Sequence, residues 1–337
     1  MNGPWCVLSE PLAPPFDPQR AAEAPILAAA GAHLHEVASP EAWADAMARA
    51  DAVLHWRVPI GAEEIARLNR CRVIAHYGVG VDRIEVAAAA AAGIYVTNVP
   101  RYGVDEVADH ALTLLLACAR KLHALEGIVR DGAWGVQSVR PIGRLRGRTL
   151  GIIGLGNIGS AVAARALAFG LDVIACDPYV DSDRFARVGA RQCTLATLLS
   201  SSDYISLHVP LTDETRGLID AAAFSCMKQG VIVINTARGA VVDEAALLEA
   251  LADGVVAAAG LDVFAQEPLP LDSPLRGDTR IVLTPHAAFF SEESIIDMQV
   301  GACEQVVKVL AGRRPTSLAA LPGIDWQRAD ERWRRDA

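Results

Sequence analysis

Three residues of the types used in proton transfer follow late apolar segments of the chain. Arg238 lies within Thr236–Gly239, Glu267 lies further on, and His286 lies within Thr284–His286. An arginine can grip a carboxylate with two hydrogen bonds and polarise the adjacent carbonyl group. A histidine can donate or accept a proton near neutral pH, and a neighbouring glutamate can orient the ring and favour its charged form. We therefore interpret Arg238, Glu267 and His286 as candidate catalytic residues.

A glycine-rich turn with the pattern G-x-G-x-x-G precedes these residues. It follows the apolar segment 150–153 and opens a helix predicted over 160–169. In such a turn the first glycine permits a tight bend, the second lets the backbone approach a pyrophosphate, and the third lets helix and strand pack closely. The helix N-terminus then faces the anion. The residues of the turn that we assign to dinucleotide binding are Gly154, Gly156, Asn157, Ile158 and Gly159.

An acidic residue follows this turn at about the 20-residue separation expected of a ribose-binding carboxylate. Asp177 comes directly after the predicted strand 172–176. A carboxylate there accepts hydrogen bonds from the ribose hydroxyls and repels a 2′-phosphate, which favours NAD over NADP. Arg184 and Arg187 lie further along and could weaken that discrimination. The alternative, in which Asp177 only serves a turn, stays open.

Apolar segments alternate with helical patterns along the whole chain, which predicts parallel sheets covered by helices. We therefore expect an α/β fold of two Rossmann-like, doubly wound domains with a cleft between them. The carboxyl ends of strands line the ligand crevice of such a sheet, and Arg238, Glu267 and His286 would lie there. The predicted strands are Trp5–Leu8, Ala52–Trp56, Arg72–Ala75, Ile94–Val99, Thr149–Ile153, Asp172–Cys176, Tyr204–His208, Val231–Asn235, Val256–Leu261 and Arg280–Thr284.

The remaining segments carry helical patterns or charge. The predicted helices, besides the one after the glycine turn, are Pro40–Ala50, Ala62–Asn69, Val104–Arg130 and Ser291–Ala311. The C-terminal residues 325–337 are rich in charge and lack a sustained apolar pattern, so we expect them to form a loose tail.

Composition limits the classes of protein to consider. The chain has 337 residues, 52% of them hydrophobic, and a formal net charge of −9. Such a chain is not disordered, has no run apolar enough to span a membrane, and is a poor nonspecific binder of nucleic acid. Its seven cysteines are scattered without a C-x-x-C pair, which predicts free thiols and no metal site. Because the N-terminus shows no signal peptide, we expect a cytosolic protein.

The motifs together resemble the D-isomer-specific 2-hydroxyacid dehydrogenase family over residues 72–311. The segments 77–82 and 286–293 are most similar to two branches of it, the phosphoglycerate dehydrogenases and the C-terminal-binding-protein group of NAD-dependent corepressors. Beyond the glycine turn, the resemblance rests on His208-Val209-Pro210-Leu211, Asn235-Thr236-Ala237-Arg238-Gly239, Asp262-Val263-Phe264 with Glu267-Pro268, and Thr284-Pro285-His286.

The resemblance implies an NAD-dependent oxidoreductase that moves hydride between NAD(H) and a small D-2-hydroxy acid or 2-keto acid. Arg238 would clamp the substrate carboxylate, His286 would exchange the proton and Glu267 would orient His286. An NAD(H)-sensing binding protein like the corepressors is the alternative, and Glu267 disfavours a formate dehydrogenase. The further cofactor-binding residues implied are His208, Pro210, Thr236, Ala237 and Asp262, and the substrate-binding residues are Tyr77, Gly78, Val79, Gly80 and Arg238.

The order of the motifs predicts a split arrangement of domains. A substrate domain would take residues 1–101 and 288–337, and an NAD-binding Rossmann domain would take residues 102–287. The predicted helix 104–130 is similar to the dimer arm of the family, so we expect a homodimer. We expect no regulatory C-terminal domain of the kind many phosphoglycerate dehydrogenases carry.

The residue pattern does not choose among glyoxylate, hydroxypyruvate, phosphohydroxypyruvate and bulkier keto acids. Arg57 and Arg101 could bind a distal acid or phosphate on the substrate, or they could be ordinary surface arginines. The residues expected to rim the pocket are Arg57, Tyr77, Arg101, Tyr102, Phe289 and Phe290.

Overall fold

The computed structural model describes residues 5–10, 20–37, 40–319, 321 and 323–334. The chain divides into two compact units, one drawn from residues 1–103 and 290–337 and the other from residues 104–289. Each unit contains one parallel sheet accompanied by helices. The expected α/β class is therefore confirmed.

The sheet of the first unit has five strands. Its elements up to residue 97 are β1 (Trp5–Ser9), α1 (Ala24–Ala29), β2 (Ala32–Glu36), α2 (Pro40–Met47), β3 (Ala52–His55), α3 (Ala62–Arg67), β4 (Val73–His76), α4 (Val86–Ala91) and β5 (Tyr95–Thr97). The strand order is β2-β1-β3-β4-β5. The edge strand β2 is the one that the sequence pattern missed, because most of its side chains are exposed and it lacks an apolar run.

The sheet of the second unit has seven strands in the order β12-β11-β10-β9-β6-β7-β8. Its elements are α5 (Val104–Ala119), α6 (Leu122–Arg130), β6 (Thr149–Ile153), α7 (Asn157–Ala168), β7 (Asp172–Cys176), α8 (Ser182–Val188), β8 (Arg191–Gln192), α9 (Leu195–Ser201), β9 (Tyr204–Leu207), α10 (Ala221–Ser225), β10 (Val231–Asn235), α11 (Glu244–Ala252), β11 (Val256–Leu261) and β12 (Ile281–Leu283). The strand order reverses between β6 and β9. Loops that follow these two strands diverge there and open a crevice, which is where ligands bind in such sheets.

The long helix expected over 104–130 is two helices. Helix α5 is packed along one side, with Leu112, Leu115 and Cys118 in the core. The chain then turns at Lys121, whose φ of +52° lies in the left-handed region, and α6 follows without a single buried residue. A single continuous helix is therefore the wrong description of this segment.

The first unit ends with α12 (Glu292–Leu310) and α13 (Gln327–Arg334). Helix α13 corrects the expectation of a loose tail, up to the last described residue at 334. Trp326 and Trp333 are buried, and the indole N–H of Trp333 donates to the carbonyl of Gly93 at 2.9 Å. The hydroxyl of Tyr95 also donates to Asp330, at 2.6 Å. Two tryptophans and these hydrogen bonds hold a helix that its charged sequence alone does not predict.

Candidate functional site

The glycine turn joins β6 to α7, and its surroundings require glycine at two of its three glycine positions. Gly154 has a φ of +91°, and a Cβ there would lie 2.5 Å from the carbonyl oxygen of His208. A Cβ on Gly159 would lie 2.1 Å from the carbonyl oxygen of Gly154. Gly156 has open space where its Cβ would be and directly precedes α7. The turn therefore presents an open face at the N-terminus of a helix, as an anion such as a pyrophosphate requires.

Asp177 lies at the carboxyl end of β7 and is tied to this turn. One oxygen of its carboxylate accepts the N–H of Leu155 at 2.8 Å, and the other accepts the N–H of Tyr179 at 2.9 Å. The carboxylate is therefore held beside the glycine turn, and its remaining lone pairs can accept further hydrogen bonds. Asn157 is exposed and Ile158 is half-buried at the start of α7.

His208 and Thr236 directly follow β9 and β10, at the edge of the sheet where the crevice opens. His208 follows β9, and its Nε2 lies 2.8 Å from the hydroxyl oxygen of Ser206. Burial lowers the pKa of His208 to about 3, so its ring is neutral near pH 7. Pro210 follows on the surface, and its carbonyl accepts the hydroxyl of Thr215 at 2.6 Å.

Thr236 follows β10, and its hydroxyl is buried with no hydrogen-bond partner among the described residues. A buried polar group without a partner is uncommon, and a ligand can supply what is missing. Ala237 beside it is nearly buried and is braced by Asn235, whose side-chain oxygen accepts its N–H at 3.0 Å. The orphaned hydroxyl and the open glycine turn together fit a bound dinucleotide.

Arg238, Glu267 and His286 are contributed by the loops after β10, β11 and β12. Glu267 Oε2 lies 2.7 Å from His286 Nδ1, and Glu267 Oε1 accepts the N–H of Phe264 at 3.0 Å. The Arg238 side chain donates from Nη1 to the carbonyl of Ala237 at 2.7 Å. The glutamate and the histidine that the sequence pattern paired are therefore in direct contact.

The electrostatics of this group keep Glu267 ionised. Burial by itself raises the pKa of Glu267. The hydrogen bond and the charge of His286, the Phe264 N–H and the charge of Arg238 act together against burial, and their combined effect brings the pKa of Glu267 below its ordinary value. Glu267 is therefore a carboxylate at neutral pH, and it accepts a hydrogen bond from the Nδ1–H of His286.

The backbone of His286 is strained. Its φ of +53° lies in the left-handed region, which costs a non-glycine residue of order 1–3 kcal/mol and persists only where the surroundings impose it. Those surroundings are provided by Asp262. The N–H of His286 donates to the Asp262 carbonyl at 2.7 Å, and the N–H groups of Ala287 and Ala288 donate to the Asp262 carboxylate at 2.8 and 2.9 Å.

Asp262, which the resemblance assigns to cofactor binding, makes several hydrogen bonds within the chain. The side chain is fully buried. Besides the N–H groups of Ala287 and Ala288, the Asp262 carboxylate accepts the hydroxyl of Thr284 at 2.6 Å. The oxygen of that hydroxyl lies 2.9 Å from Nε2 of His110. The Asp262 carboxylate thus holds the turn that carries His286 in place. The sequence motif around Asp262 does not predict this structural role.

The loops that carry Arg238 and Glu267 are packed backbone to backbone. Gly239 directly follows Arg238, and a Cβ at this position would lie 1.9 Å from the carbonyl carbon of Phe264. Phe264 in turn donates its N–H to Glu267. Glycine at position 239 therefore fixes the spacing of the two loops.

In the first unit, Tyr77 differs from expectation. Its side chain is fully buried, and its hydroxyl contacts Glu23 and lies 2.9 Å from Nη1 of Arg20. Burial and the nearby charge of Glu23 raise the pKa of Tyr77 well above its ordinary value. Its ring therefore does not rim a pocket, and its main-chain N–H donates to the carbonyl of His55 at 3.0 Å.

The following residues form a bend anchored by its carbonyl groups, in which Gly78 is buried, Val79 is exposed and Gly80 is half-buried. The Gly78 carbonyl accepts the N–H of Val99 at 2.9 Å, and the Val79 carbonyl accepts the side-chain amide of Asn98 at 2.8 Å. Within the described part of the chain, the N–H groups of Gly78, Val79 and Gly80 have no acceptor. These three donors can therefore bind an anion without breaking an existing hydrogen bond.

The other residues expected at a pocket rim are placed as follows. Arg57 and Arg101 are exposed in the first unit. Phe289 is nearly buried and meets the His286 ring edge-on, with the ring centroids 6.3 Å apart, whereas Phe290 is 43% exposed. Phe289 thus helps to fix the orientation of the histidine ring.

Two kinds of feature are absent from the described residues. No group of three or more histidine, cysteine, aspartate or glutamate side chains is arranged to hold a metal ion. No helix in the same part of the chain has the length and apolarity to cross a membrane.

Comparison with known proteins gives concordant results. The sequence model of the D-isomer specific 2-hydroxyacid dehydrogenase NAD binding domain matches residues 112–288. The chain is 41% identical over 273 residues to a D-3-phosphoglycerate dehydrogenase of Archaeoglobus fulgidus, covering 81% of this chain and 52% of that protein. It is 42% identical over 264 residues to a glyoxylate reductase of Korarchaeum cryptofilum, covering 77% and 79%.

The fold is also shared with solved structures. A glyoxylate reductase from Paecilomyes thermophila superposes with a TM-score of 0.85 at 28% identity, covering 94% of this chain and 98% of that one. The chain spans about half the length of the phosphoglycerate dehydrogenases it matches. The match of the NAD binding domain confirms the expected cofactor, and the chain belongs to the D-isomer-specific 2-hydroxyacid dehydrogenase family.

Proposed function

We propose that this chain is an NAD-dependent oxidoreductase that interconverts a small D-2-hydroxy acid and its 2-keto acid. The observation that supports this most directly is the 2.7 Å contact between Glu267 and His286, with Arg238 on a neighbouring loop of the NAD-binding fold. The nicotinamide ring, when bound, supplies or accepts the hydride. The residues of the chain then have to bind the acid, polarise its carbonyl group and move one proton.

His286 exchanges the proton in this proposal. Because ionised Glu267 holds the hydrogen on Nδ1, Nε2 is the atom that gives a proton to the forming alkoxide or takes one from the hydroxyl group. General acid–base assistance of this kind is worth about 10² to 10⁴ in rate. His208 is not suited to that role, since a pKa of about 3 keeps it neutral near pH 7, and the neutral imidazole is a far weaker acid than the imidazolium.

Arg238 binds the substrate carboxylate and polarises the carbonyl next to it, as a planar guanidinium can. The main-chain N–H groups of Gly78, Val79 and Gly80 also bind the carboxylate. The domain roles follow from these assignments: residues 102–287 bind NAD, and residues 1–101 with 288–337 bind the substrate.

Homodimer formation is the next part of the proposal. Helix α6 and the segment after it carry large apolar side chains that are exposed, including Leu122 at 61%, Val129 at 55% and Trp134 at 91%. A patch of this kind is typical of an interface between subunits. All seven cysteines are free, which supports a reducing compartment, and we place the protein in the cytosol.

The test is NADH oxidation with a panel of 2-keto acids, together with NADH binding measured by fluorescence. We expect turnover, and we expect Arg238→Gln to lower kcat/KM about a hundredfold with no change in the Kd of NADH. The matched control is Arg313→Gln, an exposed arginine that should behave as wild type. Binding of NADH without turnover of any keto acid would instead support the NAD(H)-sensing alternative.

The same panel identifies the substrate. Glyoxylate has no distal group, whereas phosphohydroxypyruvate carries a phosphate that Arg57 or Arg101 would bind. If Arg57→Gln or Arg101→Gln raises KM for the phosphorylated acid alone, that arginine binds the distal phosphate. If KM for the phosphorylated acid is equal in wild type, Arg57→Gln and Arg101→Gln, neither arginine binds the phosphate. Glyoxylate or hydroxypyruvate would then be the better class of substrate.

A further inference from the structure

Arg184 is a cation beside the first turn of the helix that follows the glycine turn. It lies on α8, and its side chain reaches back to α7. Nη2 donates to the side-chain oxygen of Asn157 and Nε donates to the hydroxyl of Ser160, both at 3.2 Å. The Ser160 hydroxyl in turn donates to the carbonyl of Leu155 in the glycine turn, at 3.3 Å. Arg184 is thus held against the start of α7 by side chains of that helix.

The charge of the Arg184 guanidinium is not neutralised by a direct hydrogen bond to a carboxylate. Both partners of the guanidinium are neutral oxygens, and the first turn of α7 contains no acidic residue. Two carboxylates are close in the structure: Asp181 accepts the main-chain N–H of Arg184 at 2.9 Å, and Asp177 is bonded to the glycine turn. The N-terminus of a helix carries a partial positive charge, so it repels a cation beside it and favours an anion. An anion bound at the start of α7 would interact favourably with both the helix N-terminus and Arg184.

We propose that Arg184 is a phosphate-binding residue of the cofactor site. The phosphate can come from two positions of the cofactor, the pyrophosphate or a 2′-phosphate on the adenosine ribose. The glycine turn favours the first position, and Asp177 disfavours the second because its carboxylate repels a 2′-phosphate. The assignment concerns cofactor binding alone and does not depend on the reaction proposed above.

The test measures dissociation constants in the absence of substrate at fixed ionic strength. NADH is titrated by fluorescence, and adenosine, ADP, 2′,5′-ADP and NADPH are measured by calorimetry or by competition with NADH. The variants are Arg184→Gln, which removes the charge and keeps a hydrogen-bonding group, and Arg184→Lys, which keeps the charge. The matched control is Arg187→Gln, an exposed arginine on the same helix.

If Arg184 binds the pyrophosphate, Arg184→Gln should raise the Kd of both NADH and ADP about tenfold or more, as the loss of one charged hydrogen bond predicts. Adenosine should bind unchanged, Arg184→Lys should recover part of the affinity, and Arg187→Gln should match wild type. If Arg184 binds the 2′-phosphate, the loss should be confined to NADPH and 2′,5′-ADP. Both results support phosphate binding, and they distinguish its source.

Two results would overturn the proposal. Kd values within twofold of wild type for every ligand would show that Arg184 contacts no phosphate. An equal loss for adenosine and for ADP would show that Arg184 only shapes the turn. The melting temperature of each variant is measured alongside, and if Arg184→Gln does not fold, the comparison of wild type with Arg184→Lys across adenosine, ADP and 2′,5′-ADP decides in the same way.

Discussion

The backbone of His286 is unusual for a residue with a β-carbon, and its strain can be separated from its chemistry. Asparagine tolerates the left-handed region well, so His286→Asn should leave the free energy of unfolding unchanged or slightly higher. Without a proton donor, kcat for keto-acid reduction should fall by at least about a hundredfold. Urea unfolding and steady-state kinetics measure the two effects, and His35→Asn, at an exposed histidine of the first unit, serves as the control.

His208 should make the stability of the protein depend on pH. Its pKa is lowered from 6.5 to about 3, so below pH 6.5 the unfolded chain binds a proton that the folded chain does not. Stability therefore falls as pH falls, by about 2 kcal/mol between pH 7.5 and pH 5 from this group alone. Urea unfolding at the two pH values should show a smaller drop in His208→Gln by roughly that amount. An identical drop in both proteins would mean that His208 is protonated in the folded state.

Asp177 has two tasks that one substitution can separate. Asp177→Asn removes the charge and keeps one oxygen that can accept the N–H of Leu155, so the glycine turn should stay in place, while the hydrogen bond from the N–H of Tyr179 is lost. The repulsion of a 2′-phosphate should weaken, and the ratio of the NADPH Kd to the NADH Kd should fall by about tenfold, which corresponds to about 1.4 kcal/mol. Fluorescence titrations with both cofactors provide the measurement. If the ratio does not change, Asp177 only serves the turn and does not select between the two cofactors.

At the scale of single residues, the sequence predicts the role of a side chain where the residue type itself indicates the chemistry. Glu267 and His286 could be paired because each follows a predicted strand of the same sheet and because the family that the chain resembles has a glutamate and a histidine in this order and spacing. The contacts of Asp262 and Tyr77 could not be predicted, because their partners are main-chain groups and buried side chains far away in sequence. Burial of a polar side chain depends on packing that no local pattern encodes.

Among the helices and strands, the accuracy of prediction follows burial. Strands β6, β7, β10 and β11 match the predicted bounds because they are apolar on both faces. The short edge strand β8 is exposed and polar and was missed. The two residues between α5 and α6 include neither glycine nor proline, so the helical sequence pattern continues across them. The helical backbone is nevertheless interrupted at Lys121.

Helix α13 should contribute measurably to the stability of the first unit. The Trp333 ring is buried, and the guanidinium groups of Arg72 and Arg332 lie 4.5 and 4.4 Å from its centroid. Trp333→Ala should lower the free energy of unfolding by about 3 kcal/mol, the usual cost of removing a buried indole. Trp333→Phe keeps an aromatic ring and loses the hydrogen bond to Gly93, so its cost should be about 1 kcal/mol. Chemical unfolding followed by circular dichroism compares them, and equal stabilities would mean that α13 is not packed in solution.

At the scale of the whole molecule, the apolar surface of α6 should determine the oligomeric state. Leu122→Glu places a charge on a surface that a second subunit would bury, so the homodimer should dissociate into monomers in light scattering coupled to size exclusion. Leu271→Glu is the matched control, because Leu271 is 91% exposed elsewhere in the second unit. A wild-type protein that elutes as a monomer, or a Leu122→Glu variant that stays dimeric, would contradict the proposed interface.

The close packing of Gly239 against Phe264 limits which sequences can perform this chemistry. In a saturation library at position 239 selected for turnover, glycine should be recovered alone, since even alanine would push the arginine loop away from the carboxylate loop. Phe264 would tolerate exchange more readily, because its main chain makes that contact. A residue without a side chain would then be among the least replaceable in this chain, and ranking positions by the contacts of their side chains would overlook it.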